Sequence, residues 1–212
     1  MKHESVMNHD FSKVPKADIQ RSTFDRSHTH KTTFDAGVLV PVYVDEVLPG
    51  DTFNVRMDCF ARLATPIYPV MDNMFLEVQF FFIPNRLVWT NWKKFMGEQD
   101  DPDEVVDNYV IPTVTAPVGT GFDNACLYDY MGVRPATPGI EVNNLFARSY
   151  NLCWNEWYRD QNLQDSVVVD KGDGPDDPTD YVCLRRGKRH DYFTSCLPFA
   201  QKGDEIEVPL GS

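Results

Sequence analysis

The sequence predicts a mainly β fold: an antiparallel β-sandwich with long loops and short helices set between its strands. Three observations carry this. Residues 52–63 alternate, with Phe53, Val55, Met57, Cys59, Ala61 and Leu63 on one face. Thr52, Asn54, Arg56, Asp58 and Arg62 take the other, Phe60 being the exception. A period of two over that length describes a strand with one dry and one wet face. Residues 38–44 are β-branched at Val38, Val40, Val42 and Val44. Composition agrees: aromatic residues make up 13% of the 212 and prolines number 15, which suits strands with long ordered connections better than a helical bundle.

Taken in order, residues 1–35 show little periodicity and read as an extended amino-terminal arm, with residues 36–212 forming the body. The arm holds six basic residues against five acids, plus four histidines, while the remainder holds fourteen against twenty-seven. Phe24 and Phe34 are its aromatic anchors. Within the run Val38–Val44, Pro41 implies an edge strand or a bulge, and Leu48-Pro49-Gly50-Asp51 is a turn. The run Phe75–Ile83 ends in Phe80-Phe81-Phe82-Ile83, a pattern that implies burial on both faces.

Beyond Pro84, Asn85 is placed to cap a short helix carrying Val88, Trp89, Trp92, Phe95 and Met96, with Gly97 as its stop. Simple packing of its tryptophans on the sheet is favoured over a subunit-contact role. Residues 100–121 read as a loop. Asp123 is placed to cap a helix ending at Gly132, with Phe122 and Leu127 as a hydrophobic staple. Residues 134–139 read as a turn. A longer helix spans about 144–160, with Phe146, Tyr150, Cys153, Trp154 and Trp157 on one stripe. Ser166–Val169, Tyr181–Leu184 and Glu205–Leu210 are short strand candidates.

The net charge of −12 argues against a large nucleic-acid surface on the body, though not against a basic arm touching phosphates. Five cysteines without a CxxC pair read as buried thiols in a reducing compartment. Met1–Asp10 is polar, unlike a signal peptide, and no apolar run reaches membrane-spanning length, so a soluble protein made in a cytoplasm is expected.

Motifs for chemistry are weak. Gly119-Thr120-Gly121 lacks the third glycine of a dinucleotide turn. The acidic loop 170–180 fails calcium-loop spacing and reads as a solvated acidic turn. His28-Thr29-His30 has the spacing of a cupin metal pair but lacks the following glutamate. The basic run Arg185-Arg186-Gly187-Lys188-Arg189-His190 reads either as a phosphate or nucleic-acid contact or as a solvated turn that offsets the acidic loop. The second is preferred, since charge runs are usually surface. Neither GxSxG nor a P-loop is present. No enzyme activity, catalytic residue, metal site or cofactor is expected.

Residues 21–35 (RSTFDRSHTHKTTFD), 37–53 (GVLVPVYVDEVLPGDTF), 60–73 (FARLATPIYPVMDN), 84–99 (PNRLVWTNWKKFMGEQ), 162–176 (NLQDSVVVDKGDGPD) and 187–203 (GKRHDYFTSCLPFAQKG) resemble the major capsid protein of microviruses in the gokushovirus group. The match runs in order over most of the chain. The resemblance implies the amino-terminal portion of a viral jelly roll, incomplete here because the family's chain continues into a surface insertion and closing strands. It implies self-assembly into a T=1 icosahedral shell around a single-stranded DNA genome, built in the host cytoplasm and found in the virion. The implied partners are other copies of the chain and the genome, with no membrane.

On that reading Lys13, Lys16, Arg21, Arg26 and Lys31 are the candidate genome or inner-surface contacts. Phe24, Phe34, Trp89, Trp92, Trp154 and Trp157 are the candidate subunit-packing aromatics. Two other functions are compatible with the residues alone. One is a β-sandwich carbohydrate-binding module using loop aromatics such as Tyr109 and Phe122. The other is a cupin-like metalloenzyme centred on His28 and His30.

Overall fold

The structure is a computed structural model that describes residues 20–104, 109–189, 191–193, 195, 196 and 203. The chain divides by its contacts into two units, Met1–Lys31 and Thr32–Ser212. In the first unit the described residues, 20–31, are exposed and without helix or strand. The Asp25 carboxylate accepts hydrogen bonds from the Ser27 amide (2.9 Å) and hydroxyl (2.6 Å). These bonds hold its pKa below the ordinary carboxylate value.

In the second unit the described residues are low in helix, with one small antiparallel sheet. Residues Asn85–Leu87 form a 3-10 turn, followed by α1 (Trp92–Phe95), β1 (Thr113–Thr115), α2 (Leu127–Tyr130), β2 (Glu141–Asn143) and α3 (Leu145–Cys153). A π-helical turn, Trp154–Tyr158, continues α3. A 3-10 turn, Pro178–Asp180, follows. Strands β1 and β2 pair in the register Thr113 with Asn143, Val114 with Val142 and Thr115 with Glu141.

The three runs read as strands from the sequence form no ladder with one another. Residues 52–63 and 75–83 contain no strand. Residues 38–44 contribute one isolated antiparallel bridge, Val38 to Arg185, with Leu39 N donating to Leu184 O and Arg186 N to Gly37 O. Strand structure needs a continuous row of hydrogen-bonded neighbours as well as an alternating pattern, and among the described residues these runs have only the one bridge at Val38. Of the pair that does form, β1 lies in the stretch read as a loop and β2 in the residues between the expected turn 134–139 and the expected helix from about 144. Ser166–Val169 and Tyr181–Leu184 also form no strand, and Glu205–Leu210 lies outside the described residues.

The expected helices are shorter than their patterns. Around Asn85 the chain makes the 3-10 turn and then α1, with no side-chain cap at either start. Gly97 ends this stretch at φ +93°. α2 is capped by Cys126 in place of Asp123, its sulfur accepting from Asp129 N, while the Asp129 carboxylate accepts from Ala125 N at 2.8 Å. That reciprocal arrangement resembles a capping box. Gly119-Thr120-Gly121 is a plain turn: a Cβ on Gly121 would sit 2.4 Å from Thr137 N, and its φ is +73°.

Two apolar clusters hold the second unit. Val114, Ala116, Phe122, Leu127, Tyr128, Ala147, Tyr150 and Tyr181 form one, with Phe122 and Tyr128 stacked at 4.2 Å. Val88, Trp89 and Leu145 form the other, with Ile83, Trp92, Tyr109, Ile111 and Leu152 against them.

Between the clusters lies a buried polar network that the apolar stripe of α3 did not reveal. Arg148 donates from Nε to Asp176 Oδ2 (2.7 Å), and from Nη1 to the carbonyls of Val88 (3.1 Å) and Gly172 (2.8 Å). Its Nη2 donates to Asp176 Oδ1. Asn144 Nδ2 and Tyr181 Oη also donate to Asp176, and Tyr128 Oη donates to Asn144 Oδ1. Burial alone would raise the Asp176 pKa. The hydrogen bonds from Arg148, Asn144 and Tyr181 outweigh it and hold the carboxyl below its ordinary range.

Candidate assembly surface and basic cleft

An apolar side chain left in water forgoes about 1.5–3 kcal/mol of burial, so a contiguous exposed apolar stretch marks a surface built to be covered. Every residue from 46 to 77 is exposed. On the predicted dry face, Phe53 is 39% exposed and Val55 56%. Met57, Leu63, Ile67, Tyr68, Met71, Phe75 and Leu76 are exposed too, and so are Phe80, Phe81 and Phe82. The expectation of burial on both faces of 80–83 is therefore not met within this chain: only Ile83 packs into a cluster.

The predicted packing aromatics separate into two groups. Trp89 is fully buried, its Nε1 donating to Asp173 Oδ1 at 2.7 Å, and Trp154 is buried, its Nε1 donating to Arg185 O at 2.8 Å. Trp92 is partly buried against Trp89. These are core residues of the chain. Phe24, Phe34 and Trp157 are exposed, Trp157 at 69%. On α3 the stripe is rotated from expectation. Phe146 lies outside, while Arg148 and Asn151 lie inside because each has polar partners there.

Of the predicted genome contacts, Arg21, Arg26 and Lys31 are exposed in the arm, and Lys13 and Lys16 lie outside the described residues. His28 and His30 are exposed, with His28 Nδ1 against the Arg26 carbonyl at 2.9 Å. Among the described residues no group of three or more metal-binding side chains occurs, and no helix is long and apolar enough to cross a membrane. Phe122 is a core residue and Tyr109 is partly buried, so neither is an exposed loop aromatic.

The acidic loop is exposed, as its composition suggests, except at buried Asp176 and partly buried Pro178, and its carboxylates also accept hydrogen bonds. Asp170 accepts from Gly172 N, Asp173 from Trp89 and Asn91, Asp176 from Arg148, and Asp177 from Thr179. The ion pairs seen for the basic run among the described residues go to a different acid. Arg186 pairs with Glu77, which also meets Arg189 at 3.2 Å. Arg186 and Arg189 lie over the rings of Tyr158 (5.8 Å) and Phe75 (4.5 Å). Gly187 makes this approach feasible: its N donates to Tyr158 O at 2.6 Å, and a Cβ there would meet that carbonyl at 3.0 Å. The run thus lines a cleft of about 270 Å³ together with Trp157, Tyr158, Arg159 and Asp160. His190 lies outside the described residues.

All five cysteines are free, but the expectation that they are buried holds only in part. Cys59 and Cys196 are exposed, and Cys126, Cys153 and Cys183 are partly buried. Burial pushes the Cys153 thiol up to about 11, and burial together with Cys126 does the same for Cys183.

Residues 12–212 match the family described as "Capsid protein (F protein)". The chain is 50% identical over 204 residues to "Capsid protein VP1" of Bdellovibrio phage phiMH2K, covering 96% of this chain and 38% of that protein. It is 45% identical over 226 residues to "Capsid protein VP1" of Chlamydia phage 1, covering 97% and 38%. It is 35% identical over 217 residues to "Capsid protein VP1" of Spiroplasma virus 4, covering 96% and 38%. The chain therefore spans well under half the length of these relatives.

Proposed function

The chain belongs to the phage capsid protein (F protein) family, and from that premise we propose that it functions as a structural subunit of a virion shell by associating with other capsid subunits. The observation that carries the proposal is the run 46–77, whose every residue, apolar ones included, is exposed. A monomeric protein in water does not keep such a surface, whereas a shell subunit buries it against neighbours.

In this reading the runs Val38–Val44, Thr52–Leu63 and Phe75–Ile83 become strands of a viral jelly roll when they pair with strands outside this stretch or on a neighbouring subunit. Their alternation then has the dry and wet faces a sandwich needs. The arm of residues 1–35 lies along the inner surface of an icosahedral shell, where Lys13, Lys16, Arg21, Arg26 and Lys31 meet a single-stranded DNA genome. Phe24, Phe34 and Trp157, exposed in this chain, serve contacts between subunits or with the genome. Assembly takes place in the host cytoplasm. The family and its named relatives support a structural rather than an enzymatic role, and no observation favours a carbohydrate-binding module.

Sedimentation of the purified protein at moderate ionic strength tests the proposal. Large, closed assemblies visible by electron microscopy are expected. A strictly monomeric protein at its highest soluble concentration overturns it.

A further inference from the structure

We propose that the cleft between the π-helical turn and the basic run is a binding site for single-stranded nucleic acid, taking one nucleotide of a passing strand with its base against Trp157 and its phosphates against Lys188 and Arg189. The inference rests on the capsid reading above and names where on the body the genome is held.

The first argument is charge. The cleft is lined by Arg159, Arg186, Lys188 and Arg189 against one acid, Asp160. Glu77 pairs with Arg186 and Arg189. Arg159 is occupied by the carbonyls of Asn155 and Gln164. Even with both acids counted, the cleft is positive in a chain whose net charge is −12. Lys188 is exposed and has no ion pair among the described residues, and the Arg189 side chain, paired with Glu77 and set over the Phe75 ring, is still 57% exposed.

The second argument is the aromatic beside those cations. Trp157 is 69% exposed, yet Phe81 braces it at 5.7 Å and an interplanar angle of 57°. A braced, solvent-facing indole next to cations is the pairing by which single strands are held without sequence preference: stacking for the base, ion pairing for the backbone. The volume, about 270 Å³, falls just short of the ~300–1,000 Å³ of pockets that engulf a whole small molecule. That suits one unit of a polymer.

An acidic protein segment is the competing class of ligand. It is disfavoured because an indole face offers it little. The chain's own acid-rich loop is also engaged internally through Asp170, Asp173, Asp176 and Asp177.

The test is fluorescence anisotropy of labelled oligothymidylate on the intact protein, over a salt series, beside an abasic strand of equal length and polyglutamate as competitor. Binding to the wild type should weaken with salt. Trp157→Ala should lower affinity for oligothymidylate about tenfold or more and leave abasic binding unchanged, as loss of stacking requires. Lys188→Ala with Arg189→Ala should weaken both strands and flatten the salt slope by about 0.7 for each phosphate no longer neutralised.

Unchanged binding in both variants overturns the site, and so does polyglutamate displacing the strand as effectively as unlabelled oligothymidylate. Circular dichroism confirms folding of the variants, whose altered side chains are exposed. Particle formation scored in parallel separates the two claims. Shells that form from protein unable to bind the strand remove this site alone, whereas protein that never associates removes the capsid reading.

Discussion

Arg148 and Asp176 form a two-point ion pair sealed from solvent, with Nε to Oδ2 at 2.7 Å, Nη2 to Oδ1 at 2.5 Å, and side-chain exposures of 0% and 1%. The pair ties α3 to the acidic loop, and the remaining Arg148 donors hold Val88 and Gly172. Removing one member strands the other charge in a dry interior, a loss of about 3–5 kcal/mol. Asp176→Ala and Arg148→Ala should each lower stability by that amount in chemical denaturation. Arg148→Met combined with Asp176→Leu should recover only part of it, because Asn144, Tyr181 and the Val88 and Gly172 carbonyls lose their partners.

The same carboxyl sets an acid limit. The Asp176 pKa is depressed in the folded chain. Its contribution is therefore complete above the unfolded value of about 3.9 and is lost as pH falls through the lower folded value. Stability measured from pH 6 down to pH 2 should fall in that window. Asp176→Asn should be less stable at neutral pH and show a shallower acid decline.

The tryptophans should separate by experiment. Trp89→Ala empties a fully buried position and removes the donor to Asp173. It should cost about 3–5 kcal/mol in thermal or chemical unfolding. Trp157→Ala removes an exposed ring and should stay within about 1 kcal/mol.

Assembly should be sensitive to one face of the run 52–63. Val55→Asp places a charge on the predicted dry face and should abolish particles in sedimentation, because burying an unpaired carboxylate opposes association. Asn54→Asp, on the wet face, should leave particle yield near that of the wild type. Equal effects from the two substitutions would contradict the alternation argument.

Thiol chemistry reads the same surface. In unassembled protein Cys59 should react quickly with an aromatic disulfide reagent. Cys153 and Cys183, partly buried with pKa near 11, should react slowly. On assembly Cys59 should become protected, since it shares a face with Phe53 and Val55.

Local signals in the sequence were legible where short-range chemistry decides. Gly97 and Gly132 stop helical stretches at φ +93° and +94°. Phe122 and Leu127 meet in one cluster, as a staple would have them. Tyr150 and Trp154 are buried on the expected stripe. Long-range pairing was not legible. Arg148 and Asn151 count as outward residues in any hydrophobic pattern, and only partners far along the chain, Asp176 and Asp180, turn them inward. Strands β1 and β2 are three residues each, too short for a period of two to register. The runs between Val38 and Ile83 show the opposite case, where the alternation is present in the residues but, among the described residues, the bridge at Val38 is the one strand-type pairing they make. In the cleft, the basic run was visible in the sequence, but its approach to Trp157 depends on how Gly187 meets Tyr158.

Residues 185–187 are held on both sides: Arg186 N binds Gly37 O, Gly187 N binds Tyr158 O, and the Arg185 carbonyl receives the Trp154 indole. Three clamps within three residues leave that tripeptide no slack. A displacement of Lys188 or Arg189 would therefore be felt through these bonds at Gly37, the residue that leads into the Val38–Val44 run.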